Sequence, residues 1–192
     1  YDNTSQLFTA DLELNGAKRH VVMQAPKNGF FYVLDAKSGE LLSASPYVAG
    51  VNWTKGIGKD GRPIPNPEAD YGKTGKGVLI SPFYGGAHNW QPLSFSPATG
   101  LVYIPANQSS YAYAATREDD NPMGQKLSIS FAGNQEFMSK LKQQPVSEGF
   151  LLAWDPVKQK EAWRVEGLAY TFNGGTMTTG GNLMVTGRGD GH

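Results

Sequence analysis

Apolar residues along this chain come in short runs of about five, cut off by corner-forming residues before any helical period can develop. Such runs occupy 19–24 (Arg19-His20-Val21-Val22-Met23-Gln24), 29–35, 100–105, 149–154 and 182–186, and are rich in β-branched and aromatic side chains. That pattern predicts strands. Between them lie Leu14-Asn15-Gly16, Lys27-Asn28-Gly29, Lys37-Ser38-Gly39, Pro97-Ala98-Thr99-Gly100 and Thr179-Gly180-Gly181-Asn182, each offering a residue tolerant of positive φ at a sharp corner. The expectation is an all-β chain of antiparallel hairpins in series.

A loose repeat underlies the hairpins. Residues 34–42, 95–103 and 153–163 each read as strand, then Asp or Ser, then a small turn, then strand. Irregularly spaced self-similarity of this kind points to the blades of a β-propeller more than to a sandwich. The pattern lapses between about 108 and 148, where Arg117 to Pro122 is polar and Phe137 and Leu141, behind a capping Asn134, suggest a short surface helix. This stretch is read as an excursion within one domain spanning 1–192. Ile57 to Lys76, rich in Gly, Pro and Lys, is expected to be a long connecting loop with an extended segment at 62–67.

Composition narrows the chemistry. Lys plus Arg number 17 and Asp plus Glu 17, so no charge excess favours nucleic acid or an anionic membrane surface. Cysteine is absent, which removes thiolate metal ligands and disulfides from this stretch, and three scattered His make no metal cluster. The 24 glycines and 12 prolines fit a turn-dense β fold. Several motif matches carry no function: Gly56-Ile57-Gly58-Lys59-Asp60-Gly61 is followed by prolines that forbid the helix a dinucleotide site needs. Gly72-Lys73-Thr74, Arg188-Gly189-Asp190 and three glycosylation sequons are matches of the kind chance supplies.

Two segments do carry chemistry. In Gln24-Ala25-Pro26-Lys27-Asn28-Gly29-Phe30-Phe31-Tyr32-Val33-Leu34-Asp35, a turn at the head of an apolar strand projects the Lys27 ammonium. In Gly85-Gly86-Ala87-His88-Asn89-Trp90-Gln91-Pro92, glycines allow close approach of backbone to a ligand, Asn89 supplies an amide and Trp90 a flat indole. On residues alone Lys27 is a solvated turn lysine, Trp90 a core aromatic and His88 a structural hydrogen-bonding group.

Both segments resemble the pyrroloquinoline-quinone (PQQ) dependent alcohol dehydrogenases, and the likeness runs along nearly the whole chain, through Trp53, Asn66-Pro67-Glu68 and the end of the sequence. The stretch from Ala153 to Trp163 also resembles the tryptophan-docking motif that locks neighbouring blades of the family's eight-bladed propeller. Phe172-Asn173-Gly174-Gly175 departs from the family's Trp-Asn-Gly-Gly. The resemblance implies about three to four four-stranded blades of such a propeller. It assigns Lys27 the role of polarising the quinone, and Lys27, Asn89 and Trp90 the role of contacting PQQ.

The same resemblance implies that the general-base Asp stands just before Tyr1, with Asp2 a weak substitute, and that Ca²⁺ ligands lie outside this chain. The chain opens at Tyr1 and closes at His192 in mid-strand, so it is expected to be an internal piece, inactive alone and prone to self-association. The intact parent would oxidise primary alcohols to aldehydes in the periplasm and pass electrons to a cytochrome. A PQQ sugar dehydrogenase and a non-catalytic protein-binding propeller remain as alternatives.

Overall fold

The computed structural model describes residues 1–74, 77–113, 146–168 and 174–188. The helix anticipated near 134–141 and Phe172 lie outside them. Two four-stranded antiparallel sheets form the frame. The first is a simple meander of β1 (Phe8–Leu14), β2 (Ala17–Gln24), β3 (Phe30–Asp35) and β4 (Leu41–Pro46). The second runs β8 (Ser94–Ser96), β9 (Leu101–Ser109), β11 (Ser147–Asp155) and β12 (Lys160–Leu168) in spatial order. Three two-stranded sheets complete the described residues: β5 (Thr54–Ile57) with β6 (Pro63–Pro65), β7 (Val78–Ile80) with β10 (Tyr111–Tyr113), and β13 (Thr176–Thr178) with β14 (Met184–Thr186).

The hairpin corners have the predicted chemistry. Asn15 and Gly16, at φ 54° and 76°, turn β1 into β2 with the two positive φ values that a tight hairpin requires. The repeat has a shared geometry as well. Asp35 Oδ1 accepts from the Lys37 and Ser38 amides at 3.1 and 2.9 Å, and Asp155 Oδ1 accepts from those of Val157 and Lys158 at 3.0 and 2.9 Å. Ser96 does the same more weakly, taking the Thr99 amide at 3.4 Å. Each turn then exits through a left-handed residue: Gly39, Gly100 or Gln159. The recurring Asp or Ser is therefore a local acceptor that holds the corner shut.

Side chains alternate across the strands, and the alternation decides which sheets pack. From the first sheet Val21, Met23, Phe31 and Val33 point to one face, and from the second Val102, Ile104, Leu152 and Trp154 meet them in a single core. Phe31 and Trp154 touch across this interface, with ring centroids 6.0 Å apart. Burying each such side chain contributes about 1.5–3 kcal/mol. The opposite face of the second sheet buries Tyr103, Leu151 and Ala153, with Met184 of β14 packed against them. The second sheet thus has neighbours on both faces, and β9 and β11 read as continuous apolar runs for that reason.

Two expectations change in detail. The 57–76 stretch is not a plain loop: β5 and β6 form a short hairpin around it, a 3-10 turn spans Pro67–Ala69 with Asn66 capping it, and α1 spans Tyr71–Thr74. Polar, proline-bearing strands this short leave no alternation to detect. Ala153 and Trp163 prove to be cross-strand partners, and Trp163 leans on Tyr103 at 5.7 Å while staying 40% exposed. The indole lies on the face of the sheet that it shares with Tyr103 and Ala153.

Candidate functional site

Lys27 sits in the corner between β2 and β3, only 9% exposed although it is charged and in a turn. Five successive carbonyls hold that corner in place. Ala25 O faces His88 Nδ1 at 2.6 Å, Pro26 O accepts from the Tyr47 hydroxyl at 2.7 Å, and Lys27 O from the Ala87 amide at 3.0 Å. Asn28 O accepts from the Trp53 indole at 2.8 Å and Gly29 O from the Tyr47 amide at 2.9 Å. A turn whose every carbonyl is anchored to a distant part of the chain cannot drift, so the ammonium it carries has a set position.

The second segment is pressed directly onto the first. Gly86 has φ 88°, and a Cβ there would fall 2.5 Å from Lys27 Cβ and 2.6 Å from its Cα. Only glycine allows the two backbones to come so close. Asn89 follows three residues on, its Nδ2 donating to Gly85 O at 2.8 Å and its Oδ1 accepting from the Thr4 hydroxyl at 2.9 Å. One amide hydrogen of Asn89 is left for a ligand.

The N-terminal segment bridges the two. Lys27 Nζ lies 3.3 and 3.4 Å from the Asp2 carboxylate oxygens, and Thr4, two residues on, holds Asn89. The pair is long and lopsided: the Asp2 side chain is 81% exposed and that of Lys27 11%. The Asp2 carboxyl is held below the usual carboxylate range by its own backbone amide first and by Lys27 second. A cation this well anchored, facing one loosely held carboxylate, remains able to serve another anionic or carbonyl oxygen.

Two hollows meet at Tyr1 and Asp2. The smaller, of about 300 Å³, is bounded by Lys27, Asn28, Pro26 and Tyr32. The larger, of about 710 Å³, has aromatic walls from Trp53, Tyr71, Tyr84 and Tyr113. The Tyr1 hydroxyl donates to Pro82 O at 2.5 Å and its ring meets Trp53 edge-on at 5.4 Å. Burial pushes the Tyr113 phenol up to about 12 and raises that of Tyr1 further, so both are neutral hydrogen-bonding groups at ordinary pH.

Of the residues singled out from sequence, Lys27 is in contact with the Gly86 backbone, and Asn89 lies three residues beyond Gly86, held to Gly85 O and the Thr4 hydroxyl. Trp90 follows Asn89 with its indole 63% exposed, so the reading of it as a core aromatic does not hold. His88 is fully buried and hydrogen-bonded, as expected. Nothing in the sequence marks Tyr47, Trp53 or Thr4 as supports of the site. A buried phenol or indole usually finds an acceptor, but sequence gives no sign of which one. Among the described residues no group of three or more His, Cys, Asp or Glu could hold a metal ion.

A fixed ammonium at Lys27, the Asn89 amide and the exposed Trp90 indole are group types that a planar quinone would take as partners. No family model matches the chain. Against known proteins, it is 45% identical over its whole length to a quinohaemoprotein alcohol dehydrogenase, ADH-IIG, of Pseudomonas putida, and spans 27% of that relative. The solved structure of that enzyme superposes on 97% of the chain and 28% of its own with a TM-score of 0.81. The quinohaemoprotein alcohol dehydrogenase of Comamonas testosteroni superposes at 0.79 with 38% identity, covering 96% of this chain and 27% of that one. A 1-butanol dehydrogenase (cytochrome c) of Thauera butanivorans is 37% identical over 99% of the chain and 27% of its own length. The chain therefore spans about a quarter of the length of its relatives, and the two central sheets are blades of their propeller. Along its whole length the chain is thus similar to one stretch of the quinohaemoprotein alcohol dehydrogenases.

Proposed function

We propose that this chain is the part of a PQQ-dependent alcohol dehydrogenase that grips one edge of the quinone and polarises it. The observation that carries this reading is the burial of Lys27 on a turn whose five carbonyls are each tied elsewhere, with Gly86 pressed against it. Bound PQQ supplies a two-electron acceptor for hydride. Lys27 would lie against its carbonyl oxygens and favour the negative charge that grows there, Asn89 would donate its remaining amide hydrogen, and Trp90 would offer an apolar edge.

The base that takes the alcohol proton would be a carboxylate immediately upstream of Tyr1, since Tyr1 and Asp2 already border the cleft of Lys27. The aromatic hollow beyond Asp2 would receive the carbon chain of a primary alcohol. Calcium would be held by oxygen ligands supplied from elsewhere in the full-length protein. Electrons would leave to a cytochrome, an acceptor class that the Thauera relative's name carries, and the setting would be the periplasm.

The test is dye-linked ethanol oxidation with PQQ and Ca²⁺. The full-length protein turns over and the isolated 192-residue chain does not. A full-length protein without alcohol oxidation, or with activity toward aldoses alone, overturns the assignment.

A further inference from the structure

His88 stands apart from the other groups at the site. It is fully buried, carries a titratable ring, and touches neither hollow. Its Nδ1 lies 2.6 Å from Ala25 O and its Nε2 lies 2.8 Å from Gln91 O. Ala25 is two residues before Lys27, and Gln91 is two residues after Asn89. One ring thus spans from the strand end that carries the cation to the turn that carries the amide and the indole.

The remaining links between the segments are of a different kind. The Ala87 amide bonds Lys27 O, and Gly86 rests against the Lys27 backbone. Both set the distance of closest approach on the near side of Asn89, at Gly86 and Ala87. The imidazole ties down the far side, at Gln91. Gln91, itself 3% exposed, is held by its carbonyl to the same ring. Two anchors thus flank Asn89, whose side chain bonds the Thr4 hydroxyl and Gly85 O.

Resting on the PQQ reading above, we propose that His88 is a positioning residue for the cofactor: its ring clamps Ala25 O and Gln91 O so that Lys27 and Asn89 converge on one ligand. It touches no reacting atom and acts through those two. Its donor count matters, because the neutral ring donates to one carbonyl at a time and the imidazolium to both. Burial outweighs the two facing carbonyls and holds the ring below the ordinary imidazole range, so the neutral ring donates to one carbonyl and stays packed against the other.

The experiment is a PQQ titration of the full-length protein, followed by the absorption band of the bound quinone, for wild type, His88→Gln, His88→Phe and Leu152→Ala. Glutamine keeps one donor in a side chain of similar reach, phenylalanine keeps the ring and no donor, and Leu152→Ala loosens the core at a residue that lines neither hollow. The clamp predicts that His88→Gln raises the PQQ dissociation constant about tenfold and His88→Phe about a hundredfold, as buried carbonyls lose their partners. It predicts an altered quinone band in both, and an unchanged affinity and band in Leu152→Ala at an equal loss of melting temperature. Should His88→Phe fail to fold, the Gln variant against Leu152→Ala decides alone. Equal affinities for His88→Gln and wild type, or a loss shared by Leu152→Ala, overturn the clamp. In that outcome a wild type that binds PQQ leaves the functional reading standing. A wild type that does not bind PQQ removes both.

Discussion

At the scale of single residues, the site is made by contacts that lie far apart in sequence. Lys27 becomes a fixed cation because Trp53, Ala87 and His88 each take one carbonyl of its turn and Tyr47 takes two. Gly86 is the tightest of these meetings. A methyl group there would overlap the Lys27 backbone and would also have to adopt φ 88°, which alone costs about 1–2 kcal/mol. Gly86→Ala is therefore expected to push Lys27 and Asn89 apart, lowering PQQ affinity of the full-length protein at least tenfold by titration and lowering its melting temperature as well. Retained affinity in this variant would mean that the two segments do not share a ligand.

At the scale of elements, the repeated corner has a measurable signature. Asp35 accepts first from the backbone amide of Ser38, then from its hydroxyl, and from Arg19 and Lys37, and these bonds hold its carboxyl at about 2. A carboxyl whose folded pKa lies below its unfolded value stabilises fully above the unfolded value, and that contribution fades as pH falls through the folded one. Stability of the first sheet is thus expected to fall between about pH 4 and pH 2, and Asp35→Asn to flatten that slope in an acid titration followed by circular dichroism. An unchanged slope would show that Asp35 is not the acceptor described. Such corners were legible in sequence because Asp35, Ser96 and Asp155 act within four residues of themselves. The strands around them were legible because Val21, Met23, Phe31 and Val33 alternate. The 54–65 hairpin was not, since Pro63 to Pro65 is exposed throughout and shows no pattern. Nor was the burial of Lys27, which by its own neighbours is an ordinary turn lysine; only the family likeness pointed to it.

At the scale of the whole molecule, the sheets pack in succession, the second against the first on one face and against β13 and β14 on the other. The last surfaces in that succession are open among the described residues. Trp163 and Val165 on β12, and Met177, Leu183 and Val185 near the β13–β14 pair, are each 40% exposed or more. An open series of blades with apolar faces and unpaired strand edges associates. The isolated chain is predicted to sediment and scatter as oligomers at micromolar concentration, and a monodisperse monomer in light scattering would argue against uncovered blades. The claim on which the rest depends is that Lys27 and Asn89 hold one quinone between them. It is tested most directly by titrating PQQ into the full-length protein, its Lys27→Ala variant and its Asn89→Ala variant. A loss of about tenfold or more in affinity for each is the predicted result, since each removes a partner of a largely buried polar contact; affinities equal to wild type in both would contradict it.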